Sequence, residues 1–224
     1  MNTMAERKRI VCFGDSNTWG YKPGVGGRFD EDTRWTGRLA TMLGDDYRVL
    51  ECGINGRTTS FDEPFRDCRN GCKGLAYSME EHRPFDLLII SLGGNDLKYE
   101  GAMGACRGLR AILRVALNSG INNSFNRSAF RGGKTRILVI SPIPFDESIS
   151  KRNPDHFFAN KVEISRRFAE LYGPICKEFG VEMLDAAQIA QPSPLDCIHM
   201  DAEGHRAIAE AVYKKVLEML GPQE

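Results

Sequence analysis

Five short apolar runs, RIVCF (9–13), YRVLE (47–51), DLLIIS (86–91), RILVIS (136–141) and VEML (181–184), recur along the chain, with longer segments of helical periodicity between them. Runs this short and rich in Val, Ile and Leu suit strands buried on both faces. Their alternation with helices predicts an α/β chain built on a five-stranded parallel sheet covered on two sides. One domain spanning 1–224 is the default, because single domains run to roughly 50–250 residues. The spacing predicts helices over 35–43, 74–82 and 102–117, and one over 158–179 in which Phe158, Val162, Phe168, Tyr172, Ile175 and Phe179 repeat. Pro174 is expected to break or kink that last helix. Asp201 reads as the cap of a final helix carrying Ile208, Val212, Val216, Met219 and Leu220, with Gly221-Pro222 as its stop.

Lysine plus arginine (30) cancels aspartate plus glutamate (30). No global field therefore draws the protein to nucleic acid or an anionic membrane, and a small molecule is the expected ligand. The start MNTMAERKRI lacks the apolar stretch of a signal peptide, and no apolar run approaches the ~20 residues that span a bilayer, so a cytoplasmic location is expected. Seven cysteines are an odd number, and Cys12, Cys52, Cys106 and Cys176 fall in or beside strand and helix patterns as small hydrophobes. Cys68 and Cys72 resemble half of a zinc site, but no second pair follows, so no metal is expected. The polar stretch 121–135 reads as an exposed connection, with Arg127, Arg131, Lys134 and nearby Arg136 as a solvated face.

In open α/β sheets, ligands bind outside the carboxyl ends of the strands. That rule selects 14–34, 52–73, 92–100, 142–157 and 185–200. Four of these segments hold a compact polar cluster: Gly14-Asp15-Ser16-Asn17, Gly53-Ile54-Asn55-Gly56, Gly93-Gly94-Asn95-Asp96 and Asp196-Cys197-Ile198-His199. A serine hydroxyl becomes nucleophilic when an imidazole takes its proton, and the imidazole needs a carboxylate to hold its tautomer. Asp196 and His199 supply that pair locally. The oxyanion of an attacked carbonyl needs fixed donors. Candidates are the Ser16 N–H, the Gly56 N–H and the Asn95 amide. Glycine at 56 admits close approach of backbone to substrate.

The order GDSN, a glycine-bearing block, GGND and DCIH resembles the four consensus blocks of the SGNH (GDSL-type) hydrolases, from residue 9 to about 213. That resemblance implies a flavodoxin-like three-layer α/β/α sandwich. It also implies a triad of Ser16, Asp196 and His199, and an oxyanion hole of Ser16, Gly56 and Asn95, with no cofactor. RWTG (34–37), NGRTT (55–59) and the glycine-rich 20–27 are further similar to the arylesterase and acyltransferase branch, whose members act on short acyl esters and often form homo-oligomers. Gly56 is preferred to Gly53 because it precedes Arg57-Thr58 as in that branch. Asn17 stands where the family commonly has leucine. Segment 142–157 has no family counterpart.

Each residue also has a plainer reading. Serine favours helix starts, and Asp15 suits bonding the backbone around the turn as well as binding substrate. Trp19, Arg57 and Phe145 are candidate pocket residues, although arginine equally suits holding a loop. Asp96 is expected to brace its loop. His82, His156 and His205 are rivals to His199, with His205 expected on the exposed first turns of the last helix, and Asp185 is the rival acid. Three functions follow: a serine esterase for short acyl esters, with or without acyl transfer to alcohols; a carbohydrate deacetylase on the same triad; and, from another class, a non-catalytic module cradling phosphate after the first strand.

Overall fold

The computed structural model describes residues 6–118 and 128–221. Five strands, β1 (Lys8–Gly14), β2 (Tyr47–Gly53), β3 (Leu87–Ser91), β4 (Ile137–Ser141) and β5 (Glu182–Asp185), form one sheet in the order β2-β1-β3-β4-β5. All neighbours pair in parallel. This is the flavodoxin-like order, reached by crossovers through helices α1 (Ser16–Trp19), α2 (Trp35–Leu43), α3 (Gly71–His82), α4 (Gly101–Leu117), α5 (Ser148–Arg152), α6 (Val162–Ser165), α7 (Phe168–Phe179) and α8 (Ala202–Leu220).

Period-two alternation divides the strand side chains between two cores. Val11, Phe13, Leu88, Ile90, Ile137 and Val139 point to the layer of α3, α4 and α7. Ile10, Cys12, Leu87, Ile89, Leu138 and Ile140 point to the layer of α2 and α8. Burial on both faces explains why the central strands read as unbroken apolar runs, and each such side chain contributes roughly 1.5–3 kcal/mol by leaving water. The register aligns the carboxyl ends: Gly14 pairs with Gly53 and with Ser91, and Ser141 with Asp185. The four polar clusters therefore emerge along one rim.

The segment 158–179 is two helices rather than one. Ser165 Oγ donates to the Val162 carbonyl at 2.6 Å and accepts from the Phe145 N–H at 2.8 Å. A serine that bonds back into its own turn competes with the helical ladder, and the break falls there, at Arg166-Arg167. Pro174 sits inside α7 without ending it. Its side of the helix is exposed, and the buried Phe168, Tyr172, Ile175 and Cys176 hold the other side. Of the connection 121–135, residues up to 127, Arg127 included, lie outside the described residues. Arg131 is no solvated side chain: its Nε pairs with Asp86 at 3.0 Å and its Nη1 with Glu6, tying the connection to the foot of β3. All seven cysteines are free thiols. No described helix is long and apolar enough to cross a membrane.

Asp201 caps α8 as expected, accepting from Gly204 N at 2.9 Å. His205, one turn on, corrects its expectation: it is fully buried, because the first N–H of α2 needs an acceptor. Trp35 N donates to His205 Nδ1 at 3.2 Å, and the Phe29 ring lies edge-on at 5.3 Å. The proton of the neutral ring is thereby placed on Nε2. Burial lowers the His205 pKa from 6.5 to about 4.

The unfolded chain therefore binds this proton before the folded one does. The associated stability is complete above pH 6.5 and is lost as pH falls toward 4, a span worth up to about 3 kcal/mol. Asp96, whose pKa burial pushes up to about 7, titrates with the opposite sign but is common to wild type and variant. We expect the stability difference between wild type and His205→Asn, measured by urea unfolding, to grow as pH rises from 4 to 6.5. A constant difference would refute the neutral buried imidazole.

Candidate active site

Ser16 owes its position to a sharp strand-to-helix turn. Asp15 caps α1 by accepting from Asn17 N at 3.0 Å, and Gly14 is obligatory because a Cβ there would come within 2.0 Å of Thr18 Oγ1. Gly20 ends the helix in the left-handed conformation at φ 89°. The hydroxyl is held at the mouth of the sheet, on a residue only 8% exposed.

Facing it is the loop after β5. His199 Nε2 lies 2.9 Å from Ser16 Oγ, and His199 Nδ1 lies 2.8 Å from Asp196 Oδ2. The other Asp196 oxygen accepts the backbone N–H groups of Ile198 (3.0 Å) and His199 (2.9 Å). Burial alone would raise the Asp196 pKa, but these bonds from His199 and Ile198 outweigh it and hold the carboxyl below its usual value. An ionised Asp196 fixes the proton of the neutral ring on Nδ1 and turns the Nε2 lone pair to the serine. Cys197 takes φ 68° between them, and Ser193 N holds the His199 carbonyl at 2.7 Å. The Tyr21 ring covers the imidazole, centroids 4.4 Å apart. Asn17 explains its own departure from leucine. Its Oδ1 accepts from Met200 N at 3.0 Å, bonding the serine turn directly to the histidine loop.

Asn95 Nδ2 donates to the Arg57 carbonyl at 3.1 Å and stands 3.5 Å from Asp15 Oδ2, beside Ser16 in the same cleft. Gly56, at φ 76°, lines that cleft, and its N–H donates to nothing among the described residues. Gly53 does different work: a Cβ there would meet Trp19 N at 2.3 Å, so it is a packing glycine. The cleft holds about 290 Å³.

Of the three candidate substrate-binding residues, Asp15 borders the cleft, while Trp19 and Arg57 do not. Trp19 lies under Arg28, whose Nε donates to the Trp19 carbonyl at 2.6 Å. Arg57 is 3% exposed, donates to the carbonyls of Gly14 and Cys52, and stacks 3.9 Å from the centroid of Phe13. Its burial lowers its pKa to about 10. The guanidinium clamps the carboxyl ends of β1 and β2 together instead of reaching substrate. Asp96 braces its loop, accepting from Thr59 N at 3.0 Å and from Thr59 Oγ1 at 2.5 Å. The rival acid Asp185 bonds Ser141 Oγ and Ala187 N, and His82 closes α3. RWTG is scaffold as well: Arg34 and Thr36 both donate to Glu51 at 2.8 Å.

Sequence reasoning missed Tyr21, Arg66, Lys98, Phe157 and Phe158, all of which border the cleft together with the anticipated Phe145 and with His156, named only as a rival to His199. Lys98 carried a signal, since it stands three residues after Asn95 on a 3₁₀ turn (Gly94–Lys98). The others arrive from loops whose paths the sequence does not dictate.

The sequence pattern of the GDSL-like lipase/acylhydrolase family matches residues 12–207. Among curated proteins, none matches the chain. Among solved structures, the aryl esterase of M. smegmatis is similar at 30% identity and TM-score 0.82, over 95% of this chain and 99% of that one. A carbohydrate acetylesterase family member from Sinorhizobium meliloti is similar at 33% identity and TM-score 0.83, over 96% and 100%. Est24, a carbohydrate acetylesterase from the same organism, is similar at 29% identity and TM-score 0.83, over 95% and 99%. With that match, those neighbours and this fold, the chain belongs to the GDSL-like lipase/acylhydrolase family and is a carboxylic ester hydrolase.

Proposed function

We propose that the protein is a serine esterase for short acyl esters, working through an acyl-enzyme. The observation that carries this reading is the unbroken chain from Ser16 Oγ to His199 to Asp196, at 2.9 and 2.8 Å. In the first half-reaction Ser16 Oγ attacks the ester carbonyl while His199 Nε2 takes its proton. Asp196 stabilises the imidazolium. The negative oxygen is received by the N–H groups of Ser16 and Gly56 and by the Asn95 amide, which exchanges its long contact with Asp15 for a short one with the oxyanion. His199 then returns the proton to the leaving alcohol. Water, or a second alcohol, resolves the acyl-enzyme by the same steps in reverse.

A cleft of about 290 Å³ lies at the lower edge of small-ligand sites, roughly 300–1,000 Å³, and favours acetyl or propionyl over long chains. A carbohydrate acetyl ester is the second reading, favoured by the names of two structural neighbours. A phosphate-cradling module is disfavoured, because it has no use for His199 and Asp196 held against Ser16.

With p-nitrophenyl acetate, Ser16→Ala should lower kcat by roughly 10⁴–10⁶ and Asn95→Ala by on the order of 10²–10³. Unchanged hydrolysis by Ser16→Ala would overturn the assignment. Across p-nitrophenyl esters, kcat/KM should peak at two or three acyl carbons, and a rate still climbing beyond about eight would contradict the short-acyl reading. Restoring leucine in Asn17→Leu strands the Met200 N–H. That should cost about 1–3 kcal/mol of stability and lower kcat about tenfold with KM little changed, as the serine turn and histidine loop lose register. A kcat equal to wild type would show that the bridge does not position the pair.

A further inference from the structure

Two cations border the cleft beside Asn95, and they are differently committed. Arg66 is paired through Nε with Glu63 at 2.6 Å, and its terminal nitrogens lie over Gly56, where a Cβ would come within 2.5 Å of Nη2. Lys98 forms no ion pair among the described residues. It closes the 3₁₀ turn that carries Asn95, and three residues per turn put the two side chains on one side of it. The side chain is half-buried in the cleft wall, and its ammonium lies over the Phe158 ring, 5.3 Å to the centroid. A cation–π contact replaces part of the lost hydration but brings no negative charge.

The acids near Lys98 are already engaged. Glu63 is held by Arg66, and Asp15 accepts from Asn17 N and stands 3.5 Å from the Asn95 amide. Arg66 and His156 border the same space. A partly desolvated ammonium in a substrate cleft, without a carboxylate of its own, leaves room for one supplied by the ligand.

We propose that Lys98, assisted by Arg66, is an anion subsite that selects esters bearing a carboxylate on their alcohol or acyl portion. This rests on the esterase reading of the same cleft. The carboxylate is bound alike in ground and transition state, so the subsite acts through KM rather than kcat.

Two matched pairs test it: 4-acetoxybenzoate against 4-acetoxybenzamide, and the monoethyl ester of adipic acid against its terminal amide. Within each protein the acid-to-amide ratio of kcat/KM is read, so intrinsic reactivity cancels between wild type and variant. The ratio should fall on the order of tenfold in Lys98→Met for at least one pair, through KM, as expected for one lost charge-assisted hydrogen bond. Lys98→Arg should keep it, and added salt should lower it in wild type. A ratio unchanged in both pairs overturns the subsite. So does an equal loss of kcat on all four esters, which would make Lys98 a support of the oxyanion. If wild type cleaves none of the four and also spares phenyl acetate, the esterase reading fails, and the subsite with it.

Discussion

The hydrogen bond between Ser16 Oγ and His199 Nε2 joins positions 183 residues apart, and the site exists only where those two meet. Nothing local brings them together. Ser16 follows the second strand from one edge of the sheet and His199 follows the strand at the opposite edge, so their distance is set by the order β2-β1-β3-β4-β5 and by the register that levels the strand ends. Sheet topology is the coarse adjustment. A bond of 2.9 Å demands more than topology, because an error of 1 Å in such a pair costs on the order of 10²-fold in rate.

The fine adjustment is made by buried polar pins between loops. Asn17 bonds the serine turn to Met200 N, Arg57 ties the ends of β1 and β2 through two carbonyls, and Asp96 fixes the Asn95 loop to Thr59. Each pin satisfies backbone or side-chain groups that would otherwise be buried without partners, so each stabilises the fold while it aims the site. His205 does the same below the rim, supplying the acceptor that the start of α2 lacks. On the proposed mechanism, activation of the serine and stability of the scaffold draw on the same bonds.

Much of this was legible in the sequence, for identifiable reasons. Period two and unbroken apolar runs give the strands, because a sheet covered on both faces leaves no other pattern. The meeting of Ser16, Asn95 and His199 in one cleft, with Asp196 behind the imidazole, was recognisable because all four follow strands. What stayed hidden depends on where side chains end. Arg57 and Trp19 look like pocket residues by position, yet the guanidinium turns inward to carbonyls and the indole under Arg28. His205 follows an aspartate cap and reads as exposed, while the acceptor it provides serves a helix 170 positions away. The break in 158–179 is carried by one serine hydroxyl that periodicity does not register.

On the proposed mechanism, His199 makes Ser16 nucleophilic. Reaction with a fluorophosphonate, followed by intact mass and peptide mapping, probes that step alone, because this reagent modifies an activated serine without needing the natural substrate. One label per chain, on Ser16, formed at least about a thousandfold more slowly in His199→Ala, is the expected result. Labelling at another residue, or at the wild-type rate in His199→Ala, would contradict the account.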